Sequence, residues 1–299
     1  MNIERELGSR LTHGIKKGEP MSEHTSWMVG GPADYFICPA NMKELTEAVR
    51  YSDKHSLPLY IVGNGSNLLV LDGGIRGLVV KIGTPFSYTT HAGHFLTAGA
   101  GTPMPALANS AREAGLSGLE FAIGIPGSLG GALIMNAGAF GGYVGEKVHT
   151  VTLVDFYGRA NKVAREEISF GYRSSSLIGK GIIVEACLEL THGEPEQISG
   201  AMEKYSAERR KRHPKQPSAG SVFRNPSDKP AGKIIEEAGG KGMRIGGAEV
   251  SEKHANFIVN TGGASAADVL ALIRAVRQLV KDKYGIELQP EVRIIGEES

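Results

Sequence analysis

Three short polar segments of this 299-residue chain carry residue types that could handle an anion or a proton. Phe170-Gly171-Tyr172-Arg173-Ser174-Ser175-Ser176 sets an arginine among hydroxyls in a turn-like context. Such an arginine either meets developing negative charge or sits on a solvated loop. Ser218-Ala219-Gly220-Ser221-Val222-Phe223-Arg224-Asn225-Pro226 suits a short strand presenting Ser221 and Asn225 to a cleft, or an ordinary edge strand. Gln289-Pro290-Glu291-Val292-Arg293 opens a last strand with a carboxylate, which serves a site or a surface ion pair. The basic run Arg209-Arg210-Lys211-Arg212-His213, with Lys215 beyond Pro214, complements a helix dipole or meets a diphosphate.

Glycine marks two further places. Gly118–Gly142 holds eight glycines in twenty-five residues, mixed with Ile, Leu, Met and Phe and almost no charge. A flexible linker lacks such apolar residues. An ordinary core helix does not tolerate so many glycines, at roughly 0.5–1 kcal/mol each relative to Ala. The pattern predicts backbone that turns sharply and approaches a ligand closely. No G-x-x-x-x-G-K-[ST] is present, and Gly63-Asn64-Gly65 departs from G-x-G-x-x-G with Leu at 68 and no helical pattern directly after it. Two separate loops, Gly63–Asn67 and Gly124–Gly131 with Ser128, could still cradle a pyrophosphate on backbone N–H groups. The alternative is a pair of tight turns between strands.

Other chemistry has little support. The nine histidines show no H-E-x-x-H or Cys/His ligand spacing, and His91 and His94 lie in a Gly/Thr-rich turn context. No G-x-S-x-G occurs, and neither Cys38 nor Cys187 has a neighbouring base. Two unpaired thiols fit the reducing cytoplasm. Charged residues are 22% of the chain and the net charge is +1, so no global field favours nucleic acid or membrane. No apolar run approaches the roughly 20 residues that span a bilayer. The charged start MNIERELGSR has no apolar signal core, which predicts no export.

The elements that must position these residues follow from period and caps. Asn41 predicts a helix N-cap with Glu44 as its box partner, and Leu45, Ala48, Val49 and Tyr51 form the apolar face. Strands are expected at 59–62, 68–71, 78–82, 95–98, 148–155 and 181–190. Helices are expected at 103–114, 195–213, 230–238 and 266–284, the last with Val269, Leu270, Ile273, Val276, Leu279 and Val280 inward. Short strands follow at 256–260 and 292–295. The change of texture near 191–200 predicts an N-terminal α+β region and a smaller α/β region after it.

Taken in order, these segments resemble one family, the UDP-N-acetylenolpyruvoylglucosamine reductases. The resemblance rests on HTSWMVGGPADYF (24–36), VGNGSNLLV (62–70), GLEFAIGIPGSLGGALIMNAGA (118–139), FGYRSSSL (170–177), PSAGSVFRNP (217–226), AGKIIEEAGGKGMRIGGAEVSEKHANFIVN (231–260) and QPEVRIIG (289–296). It implies an α+β fold: an FAD-binding domain of the vanillyl-alcohol-oxidase (PCMH) type over 1–194, with two α+β subdomains split near 80. A C-terminal α/β substrate-binding domain over 195–299 is also implied, its final strand 289–299 returning towards the flavin. Longer members carry an insertion whose tyrosine closes over substrate. No such insertion lies between Asn225 and Asn260, so the chain resembles the shorter class.

The resemblance also implies an activity and a division of labour. The expected enzyme is an NADPH-dependent UDP-N-acetylmuramate dehydrogenase acting on a CH–CH group, in the cytoplasm. It would serve peptidoglycan synthesis and hence cell wall biogenesis, cell shape, cell division and the cell cycle. NADPH reduces FAD, and hydride then passes from flavin N5 to C3 of the enolpyruvyl ether of UDP-N-acetylglucosamine. Arg173 matches the family arginine that stabilises the enolate, Ser221 the serine that protonates C2, and Glu291 the glutamate beside the carboxylate. Glu291 would act best with a raised pKa. Tyr172, Arg173, Lys215, Arg224 and Asn225 match substrate positions, Lys215 for the diphosphate. FAD-binding positions are Gly63, Asn64, Gly65, Ser66, Asn67 and Leu68; Gly124, Ile125, Pro126, Gly127, Ser128, Gly130 and Gly131; and Asn136, Ala137, Gly138 and Ala139. With no histidine in either loop, FAD is expected to be non-covalent. No metal, nucleic-acid or membrane partner is expected, and the protein is expected as a monomer or weak dimer. The alternative is another FAD-dependent oxidoreductase of the same fold, such as a small-alcohol or sugar oxidase.

Overall fold

The computed structural model describes residues 3–226 and 229–298, and the chain falls into two units. The first holds the residues up to Lys17, Tyr35–Asn64 and Gly77–Arg209; the second holds Gly18–Asp34, Gly65–Arg76 and the residues from Arg210 onward. The resemblance implies a boundary at 194/195; by contacts, two N-terminal stretches group with the C-terminal residues through long-range pairing.

The first unit carries α1 (Ile3–Glu6), α2 (Met42–Lys54), α3 (Met104–Glu113), α4 (Leu129–Ile134) and α5 (Pro195–Arg212) as far as Arg209. Its largest sheet has five antiparallel strands in the order Ala160–Ala164, Val148–Val154, Ile182–Glu189, Phe95–Gly99, Thr89–Ala92. Val151 stands opposite Val163 on one side and Ala186 on the other. The core gathers Leu96, Ala98, Val151, Leu153, Val184 and Leu188 with Met104, Leu107, Ala108 and Ala111 of α3. Leu59–Val62 pairs in parallel with Ile75–Lys81, Ile61 opposite Val80. Of Leu59–Val62 only Val62 is fully buried, although the run is apolar throughout.

Asn41 caps α2 as expected, its side chain accepting from the Glu44 N–H at 3.0 Å. Glu44 does not complete the box. Its carboxylate accepts from Ala40 N at 2.9 Å and from Thr12 N and Oγ1 at 3.1 and 2.5 Å. Burial alone would raise this carboxyl; the three hydrogen bonds outweigh that and hold it below its ordinary value.

The second unit carries α6 (Ala231–Ala238) and α7 (Ala266–Tyr284), beside a three-stranded sheet in the order Arg244–Ile245, Ala248–Val250, Ile258–Asn260. Ser265 and Asp268 form a reciprocal cap on α7, and Asp72 adds a second by accepting from Ala266 N and Ala267 N at 2.9 and 2.8 Å. Val269, Leu270, Ile273, Val276 and Val280 are buried as the period predicts, while Leu279 is only part-buried. Leu68–Val70 runs parallel to Arg293–Ile295, Leu69 opposite Ile294. Trp27, fully buried in this core, donates to Ile258 O at 2.7 Å. These contacts tie 18–34 and 65–76 to the C-terminal residues. Cys38 and Cys187 form no disulfide and are part-buried. Among the described residues no helix is long and apolar enough to cross a membrane.

Candidate active site

The second glycine loop is fastened along one side in the first unit. Met104 N donates to Gly127 O, Leu129 N to Thr102 O and Gly130 N to Ala100 O, at 2.8–3.0 Å. The glycine content argued against a core helix here, yet Leu129–Ile134 forms α4, with Leu129, Ala132 and Leu133 buried. Six residues tolerate two glycines because burial, not propensity, holds so short a helix. Ser128 is the N-cap residue of α4, but its hydroxyl makes no cap bond. It faces the first loop: a Cβ built on Gly63 would lie 2.5 Å from Ser128 Oγ. The backbones at 63 and 128 therefore approach with no room for a side chain between them.

The division of the chain falls inside the first loop, between Asn64 and Gly65. In the second unit Gly65 has φ +62°, and a Cβ on it would collide with His24 O. Only glycine serves there. Ser26 N donates to Gly65 O at 3.3 Å, and Arg293 N donates to Asn67 O at 3.0 Å. Asn67 Nδ2 donates to Glu291 O at 3.2 Å, so this half-loop is tied to the segment that carries the candidate carboxylate.

Arg173 lies in the first unit at the tip of a two-residue hairpin between Phe170–Gly171 and Ser174–Ser175. Its φ is +54°, a conformation that costs an L residue roughly 1–2 kcal/mol. Its guanidinium lies 5.5 Å from the centroid of the exposed Tyr172 ring. Two bonds hold the hairpin to the glycine-rich segment. Ser175 Oγ donates to Ile134 O at 3.1 Å, and Asn136 Nδ2 donates to Gly171 O at 3.0 Å. The other end of the Asn136 amide accepts from Gly145 N at 3.0 Å. The side chain of Asn136, an expected cofactor contact, is thus engaged as a brace behind the arginine.

Ser221 and Glu291 lie in the second unit on neighbouring segments. Phe223 bridges Pro290 in antiparallel fashion, Glu291 N donates to Val222 O at 2.7 Å and Arg224 N to Gln289 O at 2.9 Å. Both residues are half-buried. Asn256, 3% exposed, grips the segment that follows Ser221. Its side chain accepts from Phe223 N and donates to Phe223 O at 2.9 and 2.8 Å, and its carbonyl accepts from Val222 N at 2.8 Å. Sequence reasoning did not single it out; an Asn between apolar residues in HANFIVN was the available signal. Asn225 is exposed, and its Oδ1 accepts from Ala231 N at the start of α6 at 3.0 Å. Lys215 lines a cavity of about 450 Å³ in the same unit, with Lys253, Glu249, Glu252 and Ser251.

The donor set fits a flavin dinucleotide: two closely apposed glycine loops, one carrying a buried serine, suit a pyrophosphate. Comparison with known proteins agrees. Residues 33–163 match the FAD binding domain family, and 212–295 match the family described as UDP-N-acetylenolpyruvoylglucosamine reductase, C-terminal domain. The UDP-N-acetylenolpyruvoylglucosamine reductase of Heliobacterium modesticaldum is 53% identical over 282 residues, covering 93% of this chain and 90% of that one. That of Desulforamulus reducens is 43% identical over 295 residues, covering 98% and 97%. The crystal structure of the Thermus caldophilus reductase superposes with a TM-score of 0.82 at 37% identity, covering 92% of this chain and 97% of that one. An FAD-binding α+β fold followed by the reductase C-terminal domain, with this identity along nearly the whole length, means that the chain belongs to the UDP-N-acetylenolpyruvoylglucosamine reductase family.

Proposed function

We propose that this FAD-dependent oxidoreductase of peptidoglycan synthesis uses NADPH to reduce the enolpyruvyl ether of UDP-N-acetylglucosamine to UDP-N-acetylmuramate. Bound FAD, held by the loops at 63–68 and 124–139, supplies the chemistry of accepting hydride from the nicotinamide and delivering it to the C3 methylene of the enolpyruvyl group. The protein must then manage the electron pair that moves towards the carboxylate and the proton that C2 needs.

Arg173 stabilises the enolate as a fixed cation. Ser221 gives its hydroxyl proton to C2; a serine is a weak acid, so it acts only when held against the carbanion as charge develops. Glu291 shares a proton with the carboxylate side of the enolate. Lys215 meets the diphosphate, and Tyr172, Arg224 and Asn225 border the sugar nucleotide. The observation that carries the reading is the backbone pairing of the Ser221 and Glu291 segments through Glu291 N and Val222 O. It puts a hydroxyl and a carboxylate on adjacent rails of one unit, as a protonation with carboxylate recognition needs.

Rapid mixing of the two half-reactions tests this. Ser221→Ala should leave flavin reduction by NADPH nearly intact and slow reoxidation by the enolpyruvyl nucleotide by about a hundredfold or more. Equal loss in both half-reactions contradicts the proton-donor role. Turnover of the unmodified protein with oxygen alone, and none with the nucleotide, sinks the reductase reading.

A further inference from the structure

His254 lies two residues before the asparagine that grips the segment after Ser221, within the second unit. Asn256 N donates to its Nδ1 at 3.2 Å. A ring nitrogen that accepts carries no proton, so the imidazole is neutral with its hydrogen on Nε2. Phe257 N donates to His254 O at 2.9 Å and closes 254–257 as a turn. The ring is packed from several elements. The Phe257 ring lies 4.8 Å away between centroids, and His213 meets it edge-on at 5.7 Å. A Cβ built on Gly232, in the first turn of α6, would lie 2.9 Å from its Cε1. Burial is the largest influence and holds the imidazole below its ordinary value. Its own carbonyl and Glu236 oppose that shift, while Lys241 and Arg212 add to it. Lys241 and Glu236 pair with each other at 2.6 Å, so their charges largely offset.

Asn256 is 3% exposed, so Nδ1 is the acceptor for a buried N–H. From Asn256 the hydrogen bonds continue without a gap. Its side chain accepts from Phe223 N and donates to Phe223 O, its carbonyl accepts from Val222 N, and Val222 O accepts from Glu291 N. We infer that neutral His254 is a positioning residue for proton delivery: it holds Asn256 and, through Asn256, the Ser221 segment, and protonation of the ring releases that segment. A protonated Nδ1 carries a hydrogen where Asn256 N needs an acceptor, so two N–H groups face each other in a packed turn. The inference rests on the reading of Ser221 as the proton donor. The Ser221 hydroxyl follows its backbone, whereas hydride transfer into the flavin needs nothing from it.

The test follows reoxidation of dithionite-reduced holoenzyme by the enolpyruvyl nucleotide across about pH 5.5 to 8. The unmodified enzyme should slow by about tenfold as the pH falls below about 6.5. His254→Asn keeps a short acceptor that does not titrate, so its rate should vary by less than about threefold over the same range. His254→Phe, with no acceptor, should reoxidise about tenfold more slowly at about pH 7.5, with flavin reduction by NADPH within about twofold. An acid limb that survives in His254→Asn belongs to another group, such as Glu291, and overturns the inference. So does a flat profile for the unmodified enzyme, or full-rate reoxidation by His254→Phe. Hydrogen exchange needs no variant: protection of the 222, 223 and 256 amides in unmodified holoenzyme, corrected for intrinsic rates, should fall over the same acid range. Constant protection overturns the inference, and this measurement decides alone if neither variant retains FAD. The underlying reading fails separately, if Ser221→Ala slows both half-reactions equally while the protection change persists.

Discussion

Arg173 and Ser221 both sit on short extended segments, but the two units hold them by different means. Arg173 is on a left-handed two-residue turn at φ +54°, braced by the Asn136 amide and Ser175. Ser221 is on an irregular extended segment, not the strand its residues suggest, held from both sides by Val222 O and Arg224 N towards 289–291 and by the Asn256 backbone and amide. The contrast follows from side-chain length. A serine hydroxyl is one rotatable bond from the backbone, so its position is only as good as the backbone's. An arginine reaches through several rotatable bonds, so a strained turn can aim it while packing fixes the tip. The Ser221 side should therefore depend on stability, and the Arg173 side on local geometry.

The largest effect expected from breaking this contrast is at Asn256. Asn256→Ala leaves the buried Phe223 N–H and C=O without their amide partner and should cost about 2–5 kcal/mol. Thermal denaturation should show an apparent Tm lower by roughly 5–10 °C. A fall of less than about 2 °C would mean that the backbone hydrogen bonds to 289–291 alone hold the Ser221 segment. An intermediate effect is expected at Asn136. Asn136→Ala should slow reoxidation by the enolpyruvyl nucleotide by about tenfold while costing only about 1–2 kcal/mol of stability. Flavin reduction by NADPH, followed in the same stopped-flow experiment, should be nearly unchanged; parallel loss of both half-reactions or of FAD itself would make Asn136 a cofactor ligand instead. The smallest effect on stability has the opposite sign. Arg173→Asn puts a residue that tolerates the left-handed region at this turn. It should raise stability by about 1 kcal/mol while abolishing nucleotide-dependent reoxidation. A lower Tm would show that the arginine is held by favourable packing rather than against strain.

Much of the local structure was legible in residue order. The cap at Asn41, the apolar face of α7 and the left-handed glycines closing α3, α6 and α7 are local devices, readable within one helical turn. The glycine loops were legible as close approaches, because only glycine suits backbone packed against backbone. What lay further off was not. Glu44 looks like a box partner for Asn41, but its carboxylate turns to Ala40 and Thr12, the latter 32 residues away. Leu59–Val62 is apolar without being buried, since composition does not reveal what covers a strand. Asn256 and Arg209 were invisible as individuals, because an amide or a guanidinium gains its meaning from the atoms it meets.

By itself, then, the sequence determined the two glycine loops, the helices with their ends, and the residue types available for chemistry, since each is written in neighbours a few positions apart. The tertiary structure decided the rest. Gly65–Arg76 and Gly18–Asp34 join the C-terminal residues, Val222 O accepts from Glu291 N, and the stem of Arg209 crosses Gly124. Each of these depends on long-range pairing and burial, whose energies are set by which surfaces meet when the chain closes on itself.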